Sequence, residues 1–291
     1  YLSYFLETFG IGLTTCVKIF YLCTFFLSGI TMYICSYRYT KDKSLSFIAS
    51  VIYLASSYHL SEIYVRDAQA ESLLFIFLPL IILSIKELLE GHKKWFYLCF
   101  IIGYVGGILS HFTMMIYVTI FLGITMLILH KKVFTKEFII PFIKGCILVL
   151  LLSLFFFEPL FEHKLLGNYM VYKKWVMSLG VWHTTLWGME YILPIDSSGI
   201  YFYFSIVVIV LMIYLLLRKR DIFREDKYKL IGIFTLISFM MSTRYSPWKI
   251  MPYSLFMIQF GWRLVTLVIL GVSIMAVVAL ENTRVSTKVL C

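Results

Sequence analysis

Five ionisable side chains crowd one short stretch, residues 58–71, YHLSEIYVRDAQAE: His59, Glu62, Arg66, Asp67 and Glu71. Apolar runs flank it on both sides. If the stretch is helical, His59, Glu62 and Arg66 fall at i, i+3 and i+7 on one face, with Asp67 and Glu71 paired beside them. Ionisable groups at the edge of an apolar span are costly to desolvate, so they mark a functional site. The plainer reading is a solvated loop whose charges keep two helices from sliding inward.

Further along, His111 is the one ionisable group in a long apolar segment, and Arg263 follows Trp262 at the head of the last apolar run. Together these give carboxylates (Glu62, Asp67, Glu71), an imidazole (His111) and two guanidinium groups (Arg66, Arg263). The planar fork of arginine matches two oxygens of a phosphate or diphosphate. A carboxylate or histidine beside such a site can orient a nucleophile or take a proton. Trp248 and Trp262 are suited to stacking on a sugar face, although interfacial Trp is commoner. Each residue also has a plain structural role: Arg66 and Glu71 pairing with each other, His111 filling a turn, Arg263 snorkelling. No Walker loop, HExxH, GxSxG or GxGxxG motif is present.

The elements that must position these groups are membrane spans. Of the 291 residues, 61% are hydrophobic and 14% charged, against ~25% charged in soluble domains. Mean hydropathy is +0.89. This is an all-α, polytopic transmembrane helix bundle forming a single domain over residues 1–291. About nine spans are predicted, at roughly 11–35, 44–58, 71–86, 95–109, 112–130, 138–157, 200–217, 230–243 and 262–280. Several are shorter than the ~20 residues of a full crossing. Residues 95–130 carry no Lys, Arg, Asp or Glu. As one helix they would exceed a ~30 Å core, so two antiparallel helices with a turn near Ser110 and His111 are predicted. Gly103, Gly106 and Gly107 would let a neighbouring helix approach.

Placing the loop at 38–43 in the cytoplasm leaves Lys18, Arg66, Lys164, Lys173, Lys174, Arg244, Lys249 and Arg263 outside, and the other 18 of the 26 basic residues inside. That is the asymmetry of the positive-inside rule. It accounts for the net charge of +10 without nucleic acid as a partner. Three substantial loops then lie outside, at 58–71, 158–199 and 244–261. The inside anchors and the outside works. Five of the six cysteines lie in apolar runs with no metal-ligand spacing, and the histidines are scattered over both faces, so no metal site is assigned. The start on Tyr1, with no leader, fits an N-terminally truncated piece of a longer chain.

The run from Ser46 through Leu88 resembles a family of bacterial multi-spanning membrane proteins labelled as related to 6-pyruvoyl-tetrahydropterin synthase. Its signatures are Tyr53-Leu54 with Tyr58, then Tyr64-Val65-Arg66-Asp67-Ala68-Gln69-Ala70-Glu71, then Phe77-Leu78-Pro79-Leu80. Ser110-His111 is similar to the family's S-H-N turn, and Gln259-Phe260-Gly261-Trp262-Arg263 to its Q-F-P-W-R segment. Asp67 and Gly261 depart from the family's Gly and Pro, and Thr113 stands near the displaced Asn of the turn.

The resemblance implies a GT-C-like glycosyltransferase at the outer face of a bacterial cell membrane. Its partners would be membrane lipid and a polyprenyl-phosphate-linked sugar, transferred to a cell-surface glycan or glycolipid. The implied substrate-binding set is Arg66, Glu71, His111, Arg263, Gln259 and Glu62, with Arg66 and Arg263 on the donor phosphate. No cofactor is assigned, and the need for a divalent cation is left open. The catalytic Asp of GT-C enzymes would precede residue 1, so no catalytic residue is assigned. Two alternatives are a non-enzymatic protein for lipid or polysaccharide export, and a structural membrane subunit. An export path would need polar groups at mid-membrane depth, whereas here they gather at helix ends.

Overall fold

The computed structural model describes residues 8, 10–166, 185–186, 189–193, 200–218 and 220–288. Among them the chain is helical, and the one strand-type contact is an isolated bridge between Leu186 and Thr243. The helices are α1 (Leu13–Thr40), α2 (Lys43–Leu54), α3 (Ser57–Tyr64), α4 (Gln69–Leu89), α5 (Lys93–Ile128), α6 (His130–Val133), α7 (Lys136–Leu166), α8 (Ile206–Arg218), α9 (Asp226–Ser242) and α10 (Val265–Lys288). Five of them are long and apolar enough to cross a membrane: α1, α4, α5, a stretch of α7 and the Gly261–Glu281 stretch leading into α10. That is the make-up of a membrane-embedded protein.

The helices follow the predicted apolar runs, with instructive differences. The run at 44–58 breaks into α2 and α3. α2 has 12 residues, about 18 Å, short of a ~30 Å core. Asp42 caps it, its side chain accepting from Leu45 N–H at 3.0 Å. The run at 200–217 is helical only from Ile206. α7 runs on past Glu158 and Pro159, where a loop was expected. Most of the predicted loop at 158–199 lies outside the described residues.

α5 is two helices in one. His111 has φ −149° and ψ 80°, which breaks the helix there. The two halves fold back on each other, because a Cβ on Gly107 would lie 2.5 Å from the Met115 sulfur. In a straight helix these residues would stand ~12 Å apart. Gly103 and Gly106 serve the neighbouring contact: a Cβ at Gly103 would press on Ile81, and one at Gly106 would overlap Phe77, both on α4. Small residues at these positions let the backbones close up.

α4 and α10 form the centre of the bundle, and α1, α5 and α7 present more of their surface outward. Pro79 lies inside α4 and cannot donate to the carbonyl of Phe75 one turn back. The Tyr53 hydroxyl donates to that carbonyl instead, at 2.9 Å. Tyr53 is fully buried, so the hydrogen bond is made where water cannot substitute. The spaced Tyr and Pro of the sequence are therefore two halves of one device.

Charge collects at the two ends of α4. At one end Arg38, Lys86, Glu87, Glu90 and His92 meet, with Lys86 Nζ 3.0 Å from Glu87 and 2.7 Å from Glu90. Arg38 also pairs with Glu87 and lies 5.1 Å over the Trp95 ring. At the other end stands Glu71, 16 residues or about 24 Å away along α4.

Candidate functional site

Glu71 lies in the first turn of α4, where the free N–H groups favour a carboxylate. Its Oε2 is 2.8 Å from Arg66 Nη1 and its Oε1 is 2.7 Å from Arg263 Nε. His111 Nε2 stands 3.6 Å from Oε1, and the Tyr58 hydroxyl donates to Oε2 at 3.1 Å. The contact with Arg263 Nε has the length of an ion pair without the alignment of a hydrogen bond. Four separate segments thus converge on one carboxylate: α3, the turn after it, the fold-back of α5 and the approach to α10.

Arg66 also reaches Glu62, through Nη1. Glu62 has no exposed surface. Its burial and the neighbouring Glu71 charge push its pKa up to about 8, against the pull of Arg66. Burial works against the Arg66 charge, but the carboxylates of Glu71 and Glu62 more than offset it and raise its affinity for its proton. Two guanidinium groups and two carboxylates thus meet here, with Arg66 shared between Glu62 and Glu71.

Aromatic rings floor the cluster. Arg66 lies 4.3 Å over the Trp262 ring, a cation–π contact. Tyr58 stacks on Phe202 at 5.5 Å, and both pack against Trp262 at 6.0 Å. The arginine side chains keep an accessible edge, 16% exposed for Arg66 and 14% for Arg263, while Glu71 is 4% exposed.

The approach to α10 is a run of short 3₁₀ turns at Pro247–Ile250, Tyr253–Ile258 and Gly261–Leu264. The Tyr117 hydroxyl, from the second half of α5, donates to the Leu255 carbonyl and accepts from Ile258 N–H at 3.3 Å. The Ile258 carbonyl in turn accepts from Arg263 Nη1 at 2.9 Å. Between them Gln259 has φ +64° and ψ −43°, and Phe260 N–H bonds Ile258 O at 2.7 Å across it. This is a strained three-residue turn. Gln259 therefore enters the site through its backbone, which aims Arg263 at Glu71.

Of the predicted set, Arg66, Glu71, His111, Arg263 and Glu62 come together around one carboxylate. Two details of the sequence reading are corrected. His59 does not share a face with Arg66, because α3 ends at Tyr64 and Arg66 lies beyond it. It is buried instead against Phe75, ring centroids 3.8 Å apart, and burial lowers its pKa to about 4. Asp67 does not pair with Glu71. Its carboxylate accepts from the Tyr21 hydroxyl on α1, and its φ of +49° explains why a glycine suits that position.

Tyr58 and Phe202 were not among the predicted site residues, and only their aromatic character hinted at them. Among the described residues one grouping, Glu87, Glu90 and His92, is close enough to share a metal ion. Arg38 and Lys86 already occupy the Glu87 carboxylate, so its chemistry is that of an ion-pair cluster. No family model matches this chain, and neither a curated protein nor a solved structure does.

Proposed function

We propose that this chain is the membrane core of a GT-C-like glycosyltransferase, crossing the bilayer about nine times with its basic loops in the cytoplasm. It takes a sugar from a polyprenyl-phosphate donor and transfers it to a cell-surface glycan or glycolipid on the outer face. The observation that carries this reading is the convergence of Arg66 and Arg263 on Glu71, with each arginine side chain keeping some exposed surface. A phosphate oxygen entering there competes with Glu71 for both forks, and paired charge-assisted hydrogen bonds favour it.

In the transfer, an acceptor hydroxyl oxygen bonds to the anomeric carbon as the bond from that carbon to the phosphate oxygen breaks. The lipid phosphate leaves with the electron pair, and the hydroxyl proton passes to a base. The arginines stabilise the charge that develops on the leaving group, an effect worth ~10²–10³ in rate for comparable donors. His111 lines the site beside Glu71, and Gln259 fixes the approach of Arg263.

The test is transfer from a radiolabelled polyprenyl-phosphate sugar by the full-length protein in membranes. Arg66→Lys and Arg263→Lys keep the charge and lose the fork. Each is expected to cut transfer by about 10²-fold per folded molecule. Wild-type rates in both variants would remove the arginines from the site. That result would favour a purely structural clamp, a reading that the sharing of Arg66 between Glu62 and Glu71 already supports.

A further inference from the structure

The turn that joins α8 to α9 carries more positive charge than its own acids can match. Asp221 pairs with Arg224 at 3.0 Å, Glu225 with Lys227 at 3.3 Å and Asp226 with Lys132 at 4.0 Å. Every carboxylate of the turn is therefore taken. Among the described residues Arg218, at the end of α8, and Lys229, in the first turn of α9, are left without a carboxylate partner. α9 also starts without a side-chain cap, so its first N–H groups favour an anion at the same place.

This end of the bundle is remote from the Arg66–Glu71 cluster. α8 begins four residues after Phe202, which packs on Trp262, and its 13 residues reach Arg218 about 20 Å away. α9 returns over 17 residues, about 25 Å. Both are shorter than a ~30 Å hydrocarbon core, which keeps the turn between them within reach of lipid headgroups.

Two hollows meet at the turn. A polar one of about 430 Å³ is lined by Leu217, Arg218, Asp221 and Arg224. An apolar one of about 660 Å³ lies between α8 and α9 on a floor of α10, and Lys229 is the one charged residue among the described residues that line it. The two share a wall, since Leu216 lines the apolar hollow and Leu217 the polar one, as Phe223 and Arg224 do. Phe223 is held in that wall by Gly232 of α9, where a Cβ would meet its ring at 2.7 Å. The apolar hollow has a volume usual for one bound small molecule, ~300–1,000 Å³.

We infer that an anionic phospholipid of the leaflet at this end binds here, its phosphate held by Arg218 and Lys229 and one acyl chain laid between α8 and α9. The site is separate from the proposed transfer reaction and uses none of its residues. A soluble anion would match the two cations but leave the apolar hollow unused. An uncharged lipid would fill the hollow and leave the cations unmatched. A phosphate carrying net negative charge, joined to an acyl chain, satisfies both.

The experiment uses the whole protein in phosphatidylcholine nanodiscs doped with phosphatidylglycerol whose acyl chain ends in a diazirine, with phosphatidylcholine bearing the same chain as control. After photolysis, mass spectrometry locates the label. The anionic probe is expected to mark α8 and α9 peptides at least about tenfold more than the zwitterionic one, and α7 peptides equally. Arg218→Gln and Lys229→Gln are each expected to cut that preference by about fivefold, and the double variant to abolish it. Neither side chain has an ion pair to lose, so both variants are expected to unfold at the wild-type midpoint. Arg263→Lys, at the other end of the bundle, is expected to leave the labelling unchanged.

Equal labelling of α8 and α9 by the two probes in wild type would overturn the inference, since it marks ordinary lipid solvation. So would a full preference in the double variant, or a loss of preference in Arg263→Lys, which would move the headgroup to the opposite leaflet. Abolition of the preference by excess inorganic phosphate at constant ionic strength would overturn it as well, by making the turn a site for free phosphate.

Discussion

Glu71 divides its two oxygens between two arginines, Oε2 to Arg66 and Oε1 to Arg263, and so joins the turn before α4 to the approach of α10. Each arginine is more than four-fifths buried, and Arg66 also pairs with Glu62. Removing Glu71 takes the carboxylate from Arg263 and leaves Arg66 with Glu62 alone, in a desolvated place. Glu71→Ala is expected to destabilise the protein by about 3–5 kcal/mol, and Glu71→Gln by less, as it keeps a hydrogen-bond acceptor. Thermal unfolding in detergent checks this; an unchanged midpoint for Glu71→Ala would show that the pairs contribute nothing to the fold.

Glu62 gives the fold a pH dependence with a definite sign. Its folded pKa is raised to about 8, so the folded protein holds a proton that the unfolded chain releases near the ordinary carboxyl value. Its contribution is complete below that ordinary value and is lost as pH rises towards 8. His59 acts in the other direction, since its pKa is lowered to about 4 and its cost falls between 6.5 and 4. Between pH 6.5 and 8 Glu62 acts without His59. Unfolding midpoints are expected to fall across that window in wild type and to stay flat in Glu62→Gln; parallel slopes would rule Glu62 out.

The Tyr53 hydroxyl makes the hydrogen bond that Pro79 withholds from Phe75. Tyr53→Phe is expected to cost about 1–3 kcal/mol, the penalty for a buried unsatisfied carbonyl. Pro79→Ala restores an N–H at that position, so the double variant should recover most of the loss. A double-mutant cycle reads the coupling directly, and additive effects would separate the two residues.

How much of this was legible in the sequence depends on how far a signal had to reach. The apolar runs set the helices, and the uncharged stretch of α5 gave away its fold-back at His111, because no single helix of that length fits a bilayer. Arg66, Glu71, His111 and Arg263 were visible as ionisable groups at span ends. His59 was misplaced because a helix face was extended through Arg66, when α3 stops at Tyr64. The partnerships of Tyr21 with Asp67 and of Arg38 with Glu87 left no local trace, since each joins segments far apart in the chain. The cavity between α8 and α9 was illegible for a similar reason: periodicity shows which residues are apolar, and leaves open which helices part.

Two left-handed residues test the backbone account. Asp67 has φ +49° and Gln259 φ +64°. Asp67→Gly is expected to be neutral or stabilising by up to ~1 kcal/mol, and Asp67→Ala to be destabilising, although both lose the bond to Tyr21. The same ordering, Gly above Ala, is expected at Gln259. Equal stability of the Gly and Ala variants at either position would show that the backbone there is unstrained.

The central claim is that the two arginines on Glu71 form a phosphate site. Its most direct test is the binding isotherm of polyprenyl phosphate to the protein in nanodiscs, with uncharged polyprenol as the control. Wild type is expected to bind the phosphate at least about tenfold more tightly than polyprenol, and Arg263→Lys to lose that preference, as removal of a charge-assisted fork contact is worth ~1.5–3 kcal/mol. Identical affinities for phosphate and alcohol in wild type, or an undiminished preference in Arg263→Lys, would contradict it.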